Sequence, residues 1–211
     1  MRPGDGGCIP GMTLLHLQAA EDDCEIDSYQ TPGNSVFYAD GEKPQPPEPQ
    51  GIYIGYWNGA PTFGIFRFQA GAILGGVNVG KVVLSLWGSH RMDGWDNAKH
   101  ALTISIENSA DPTPVTSELD DPMKSKKRTL LGAVRWPPSG GLTWNVNAYN
   151  RSPDLRSLIK MLIATQGGLK AKAHVQFWVR GAFSSGVAEV TTPAFGTPGY
   201  IPASLQMARC D

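Results

Sequence analysis

From residue 51 onward, apolar and polar positions alternate in short runs separated by Gly, Asn and Pro, the spacing of strands in a sandwich or barrel. Residues 52–57 form the first run, followed by a turn at Asn58-Gly59. Residues 62–69 put Phe63, Ile65 and Arg67 on one face and Phe66 and Phe68 on the other. Residues 81–87 place Val82, Leu84 and Leu86 against a core, residues 101–107 do the same with Leu102, Ile104 and Ile106, and residues 173–180 with Val175, Phe177 and Val179. Residues 129–136 and 143–146 are shorter candidate strands.

One segment has helical spacing instead. Leu155, Leu158, Ile159 and Leu162 recur at i, i+3, i+4 and i+7, giving one apolar face. Ser152 supplies an N-cap, Pro153 a first helical position and Asp154 an acid in the first turn, while Gly167-Gly168 stops the helix. A single amphipathic helix in a strand-rich chain is expected to lie across an open end of the sandwich.

The two ends read differently. Residues 1–50 hold a Pro-rich run from Lys43 to Pro49 that excludes a continuous helix or central strand, with short strands at 13–17 and 35–38. Residues 191–211 carry Pro193, Pro198 and Pro202 among apolar side chains that need burial. The expected organisation is an N-terminal arm (1–50), a sandwich (51–190) and a C-terminal tail (191–211), with Tyr38, Phe195 and Tyr200 anchoring the arms on the domain or on a neighbouring subunit.

A length of 211 residues suits one domain with extensions. Charged residues make up only 18%, which fits a surface facing other proteins. The net charge of −1 argues against a general polyanion binder, since the basic run Lys124, Lys126, Lys127 and Arg128 follows Glu118, Asp120 and Asp121 and reads as a solvated loop. No run reaches the ~18 apolar residues of a membrane span, and the start lacks the pattern of a secretory signal. Cys8, Cys24 and Cys210 show no metal-ligand spacing; they read as reduced structural thiols, with a Cys8–Cys24 bridge or a subunit link through Cys210 as the sharper alternative.

The search for chemistry narrows to one loop. Asp93, Asp96 and Glu107 with His90 and His100 have no spacing that forces convergence, so they read as polar loop residues; their best metal reading is a structural Ca²⁺ on Asp93, Asp96 and loop carbonyls. The Gly-rich stretch 71–80 lacks a phosphate-loop ending and reads as a flexible turn, and His174 as a surface or interface residue. Trp87, Trp95, Trp136, Trp144 and Tyr149 offer a platform for stacking sugar rings, although Trp87 and Trp136 close apolar strands and suit the core better. Trp95, flanked by Asp93 and Asn97, is the leading candidate for contact with a glycan or a subunit, with Trp144 and Tyr149 beside it.

Ile65-Phe66-Arg67-Phe68, the strands at 81–87 and 102–107, Val134-Arg135-Trp136 and the helix Ser152-Pro153-Asp154-Leu155-Arg156-Ser157-Leu158-Ile159 together resemble the jelly-roll domains, similar to carbohydrate-binding modules, of bacteriophage structural proteins. The resemblance covers about residues 51–183 and implies an all-β jelly-roll β-sandwich with one short helix. It further implies a non-catalytic virion protein without a cofactor, assembled in the host cytoplasm. Its role would be capsid decoration or cement, or a tail or fibre component, bound as a homo-oligomer to major capsid or tail proteins. The alternative is an adhesin for a host-surface glycan.

Overall fold

The computed structural model describes residues 11–27, 36–39, 51–57, 60–71, 78–91, 94–182, 188–195 and 202–210. The fold is an all-β sandwich of two antiparallel sheets with a single α-helix among these residues. Its strands are β1 (Gly11–His16), β2 (Asp23–Asp27), β3 (Val36–Ala39), β4 (Ile52–Trp57), β5 (Ala60–Gln69), β6 (Asn78–Trp87), β7 (His90–Arg91), β8 (Leu102–Glu107), β9 (Leu130–Trp136), β10 (Tyr149–Arg151), β11 (His174–Gly181), β12 (Ala188–Thr192) and β13 (Ser204–Cys210). The helix is α1 (Arg156–Gln166).

The smaller sheet runs β1-β13-β6-β10 and the larger β7-β12-β4-β5-β11-β8-β9, with β2 paired to β3 and to β5. Between the sheets lies the main core. Val82, Leu84 and Leu86 of β6 and Leu205 and Met207 of β13 face Phe66, Phe68, Ile104, Ile106, Val175, Phe177 and Val179 of the larger sheet. The predicted alternation of β5, β6, β8 and β11 is thus the observed one. At roughly 1.5–3 kcal/mol for each fully buried large apolar side chain, this layer is the main source of stability.

Both faces of the larger sheet are covered. Its outer side carries a second cluster of Cys24, Ile26, Phe63, Ile65 and Trp178, which the loop 108–129 closes with Val115. By contrast, the outer side of the smaller sheet carries no second apolar cluster among the described residues, although Val83, Ser85 and Ser204 are buried there.

Helix α1 packs on β6, β8 and β9, so it spans from one sheet to the other as expected, with Leu158, Ile159 and Leu162 inward. Its start is three residues later than the capping pattern predicts. Ser152 Oγ accepts the Leu84 N–H at 3.0 Å and Asp154 Oδ1 accepts those of Val82 (3.0 Å) and Arg156 (3.0 Å). Ser152 and Asp154 therefore serve the backbone of β6 as well as the helix, which pulls this segment out of helical geometry. The helix stops as predicted, at Gly167 with φ of 71°, where the Gly167 and Gly168 N–H groups both turn back to the Ile163 carbonyl.

Three expectations need correction. The chain ends are not mere arms: β1, β2 and β13 are strands of the sheets, and β13 sits centrally between β1 and β6. Without β13 the backbone groups of β6 facing it would be unpaired, which is why a Pro-punctuated end still supplies a strand. Residues 143–146 are not a strand; the pairing falls to β10, because Asn147 turns the chain with φ of 59°. The Gly-rich stretch contributes its last residues to β6, which starts at Asn78.

Candidate functional site

The polar loop singled out in the sequence is built inward. Trp95 is 5% exposed, donates Nε1–H to the Leu142 carbonyl at 3.2 Å and packs its ring 5.4 Å from His100. Trp144 is 2% exposed, its ring 6.1 Å from that of Trp136, and its N–H donates to Asn97 Oδ1 at 3.3 Å. Trp95, Asn97 and Trp144 are thus brought together, but as the joint that fastens the turn at 94–100 to residues 142–145. Neither indole offers a stacking face. The physical reason is size: a Trp beside a sheet end removes more apolar surface by turning into the core than its polar neighbours can oppose.

Asp96 is occupied by its own turn. Its carboxylate accepts the Ala98 N–H at 2.8 Å and pairs with Lys99 at 3.0 Å; that N–H first, then Lys99, hold it below the ordinary carboxylate range. Asp93, the other half of the calcium reading, lies outside the described residues, within which no group of three metal-ligating side chains converges. Cys24 is a free thiol in the second cluster, and burial pushes its pKa well above the usual value. Cys8, the other half of the bridge reading, and the side chain of Cys210 lie outside the described residues, as do Tyr200 and the side chain of Tyr38. Phe195 is half-buried against the main core and its N–H donates to Asp23 Oδ2 at 2.9 Å, so this anchor acts within the chain.

Two surfaces remain once these residues are placed. The first is the loop 108–129. Arg128, with a side chain 4% exposed, spans Glu107 (3.0 and 3.1 Å) and Asp120 (3.2 Å) and donates to the carbonyls of Thr113 (3.0 Å) and Pro114 (2.8 Å). Glu107 also accepts from Gln176 (2.7 Å) and Trp178 (3.1 Å) of β11. Arg67 reaches the loop from β5, donating to the Pro112 carbonyl at 3.3 Å while paired to Asp22 at 2.8 Å. Burial raises the pKa of Asp120, but Arg128, Lys127 and the Thr116 N–H outweigh it and keep the group below 3.8. So the basic run is not a solvated loop throughout: Arg128 is its buried pin. Leu119 and Met123 ride on this pinned loop at 68% and 61% exposure.

The second surface is the outer face of the smaller sheet. Side chains in direct register share a face, so Arg151, Ser85, Ser204 and His16 form one row across it and Val83, Gln206 and Leu14 the next. Tyr149 pairs with Trp87 beyond Arg151, their rings edge to face at 5.3 Å. Burial raises the Tyr149 pKa. Lys81, Val83, Arg151, Ser152, Gln206 and Ala208 line a shallow cavity of about 200 Å³ on this face.

No protein-family model matches this sequence, and no curated protein is significantly similar to it.

Of the described residues predicted for contact, Tyr149 and Asn97 are half-exposed; Asn97 Oδ1 accepts the Trp144 N–H, whereas Tyr149 lies on the outer face of the smaller sheet with Trp87 rather than Trp95 as its neighbour. The signal for this was parity: with Val82, Leu84 and Leu86 inward, Trp87 must point outward with Lys81, Val83 and Ser85. His174, read as a surface residue, is half-buried and takes Asp111 as its partner at 3.0 Å.

Proposed function

We propose that this protein is a non-catalytic structural component of a bacteriophage particle. In this role it binds neighbouring virion subunits as capsid decoration or cement, or as part of the tail. The observation that carries the reading is the loop 108–129, where a buried Arg-carboxylate network holds Leu119 and Met123 out in solvent. Apolar side chains presented by a fixed loop lose little freedom on docking, so their burial goes into affinity rather than ordering. The buried carboxylates Glu107 and Asp120 are engaged by cations and N–H groups, which suits a buttress.

The order of strands supports the jelly-roll form of this reading. From β5 to β11 the chain crosses between the sheets at β5–β6, β6–β7, β9–β10 and β10–β11, with β7, β8 and β9 staying in the larger sheet, and β1 and β13 lie side by side. The test is assembly of particles with the double variant L119S/M123S. Expected is at least a tenfold drop in copies per particle with the melting transition unchanged; wild-type incorporation overturns the reading. Electron microscopy of labelled particles then separates head from tail.

A second reading, an adhesin for a host-surface glycan, is favoured by the outer face of the smaller sheet. There, polar side chains, two aromatic rings and a cavity lie together on one free surface.

A further inference from the structure

The outer face of the smaller sheet carries a one-sided charge. Its described side chains are Leu14 and His16 of β1, Ser204, Gln206 and Ala208 of β13, Lys81, Val83, Ser85 and Trp87 of β6, and Tyr149 and Arg151 of β10. None of these is acidic, although the chain as a whole holds 19 acids against 18 Lys and Arg. Lys81 and Arg151 are exposed, and both line the same cavity with Gln206 between them. Elsewhere in the fold Arg67 and Arg128 are matched to carboxylates. The nearby carboxylate of Asp154, at the edge of β6, is taken by the Val82 and Arg156 N–H groups and the Arg156 guanidinium. Two exposed cations converging on one cavity with no acid on the face itself therefore call for an anion from outside the chain.

The remaining residues say what kind of anion. Ser85, opposite Arg151, has a shielded hydroxyl without a hydrogen-bond partner, and the Nε1–H of Trp87 is likewise shielded and unpartnered. Both lie on the same face of β6 as the cavity residues Lys81 and Val83, next to the cavity and not in its lining. A shielded donor left unpaired is a cost that a ligand rich in hydroxyl groups relieves when it enters and the long Arg151 side chain turns to meet it. Gln206 supplies both a donor and an acceptor, the pairing a vicinal diol uses. The edge-to-face Trp87–Tyr149 pair lies outside the cavity lining, two residues along the strands from the Arg151–Ser85 pair on the same face, and offers half-exposed ring surface, the kind on which the C–H face of a pyranose rests. The cavity of about 200 Å³ falls below the ~300–1,000 Å³ of enclosed pockets for drug-sized ligands, and fits one ring of a longer chain laid across an open sheet.

We infer that this face binds an acidic polysaccharide. The carboxylate of a uronic or sialic acid residue would lie between Lys81 and Arg151, with its ring against Trp87 and Tyr149. A neutral glycan would leave both cations without a counter-charge. A protein or nucleic-acid polyanion would satisfy the cations but make no use of the serine, amide and ring surfaces. The inference rests on the recognition reading above and specifies its ligand.

The test is titration of the full chain by calorimetry with tetragalacturonate and sialyllactose, against cellotetraose and lactose as neutral counterparts and polyglutamate as a non-sugar polyanion. At least one acidic sugar is expected to bind at least tenfold more tightly than its neutral counterpart and than polyglutamate. K81A and R151A should each weaken that binding about tenfold, and Y149A also, while the melting transition of K81A and R151A stays at the wild-type value because both side chains are exposed. S85A separates the ligand from mere charge: it keeps both cations, yet should weaken the acidic sugar and leave polyglutamate unaffected. Equal binding of neutral and acidic sugars overturns the acidic assignment and leaves the recognition reading standing. Equal binding of polyglutamate and sugar overturns both, as does binding of none.

Discussion

Replacing Arg128 tests whether the loop 108–129 is held or merely placed. In R128M the side-chain volume is largely kept, but Glu107 and Asp120 lose the cation they share and the carbonyls of Thr113 and Pro114 lose a donor. Glu107 keeps Gln176 and Trp178, and Asp120 keeps Lys127 and the Thr116 N–H, so neither carboxylate is stranded completely. Breaking one partner from a buried pair costs about 3–5 kcal/mol, and the donors that remain place this case toward the lower end. For a chain of this length each kcal/mol moves the melting temperature by ~2–4 °C, which gives a fall of roughly 6–20 °C. Urea unfolding followed by Trp fluorescence measures the energy, and trypsin reports the loop, whose lysines should be cut faster in the variant. R128K, which keeps the charge and loses the fork, should fall between the two. A loss below about 1 kcal/mol with unchanged proteolysis would show that the loop stands on its apolar contacts alone and refute the reasoning.

Other outcomes follow from the same geometry. Asp120 is more acidic folded than unfolded, so its contribution is complete above the unfolded carboxylate value of about 3.9 and disappears as pH falls through the lower folded value; acid unfolding of R128M should show a shallower slope in that window. His100 Nδ1 accepts the Asp96 N–H at 2.8 Å, so the ring must be neutral there, and burial lowers its pKa from 6.5 against the pull of Asp96. Its stabilisation is therefore complete above about 6.5 and declines as pH falls toward the folded value; a ring titration by NMR centred above 6.5 would contradict this. Cys24 should resist iodoacetamide in the native protein and react on unfolding, and rapid native alkylation would contradict its burial. In G88A the new methyl would meet the Asn145 carbonyl at 2.1 Å, so a loss of about 1–3 kcal/mol in urea unfolding is expected.

What the sequence revealed depended on how local the cause was. Alternation along β5, β6, β8 and β11 was legible because inward and outward positions are set by strand period alone. The stop of α1 was legible for the same reason, since Gly167 adopts the left-handed conformation that closes a helix. The start of α1 was not, because Ser152 and Asp154 take the N–H groups of Leu84 and Val82, about 70 positions earlier, as partners. Trp95 looked like a surface residue because its neighbours in sequence are polar, whereas its neighbours in space are His100 and the Leu142 carbonyl. Arg128 was hidden in a run of lysines, and nothing local distinguishes the one that is buried. The convergence of Lys81 and Arg151 needed the β6–β10 pairing, a contact no local pattern encodes.

The unequal treatment of the two sheets connects these points. The larger sheet has apolar residues on both sides and must be covered twice, once by the main core and once by the loop 108–129; the polar network is what makes an irregular segment serve as the second cover. The outer face of the smaller sheet carries no second apolar cluster among the described residues; it mixes Leu14 and Val83 with serines, Gln206, two cations and an aromatic pair. Hydrogen-bonded strands fix the spacing of those side chains, so presenting them takes no backbone movement, only the turning of the Arg151 side chain. A loop that presents apolar side chains and a sheet that presents charge and hydroxyls suit different ligands, one a protein and the other a saccharide. L119S/M123S and R151A should therefore separate cleanly, each weakening one contact about tenfold or more and sparing the other.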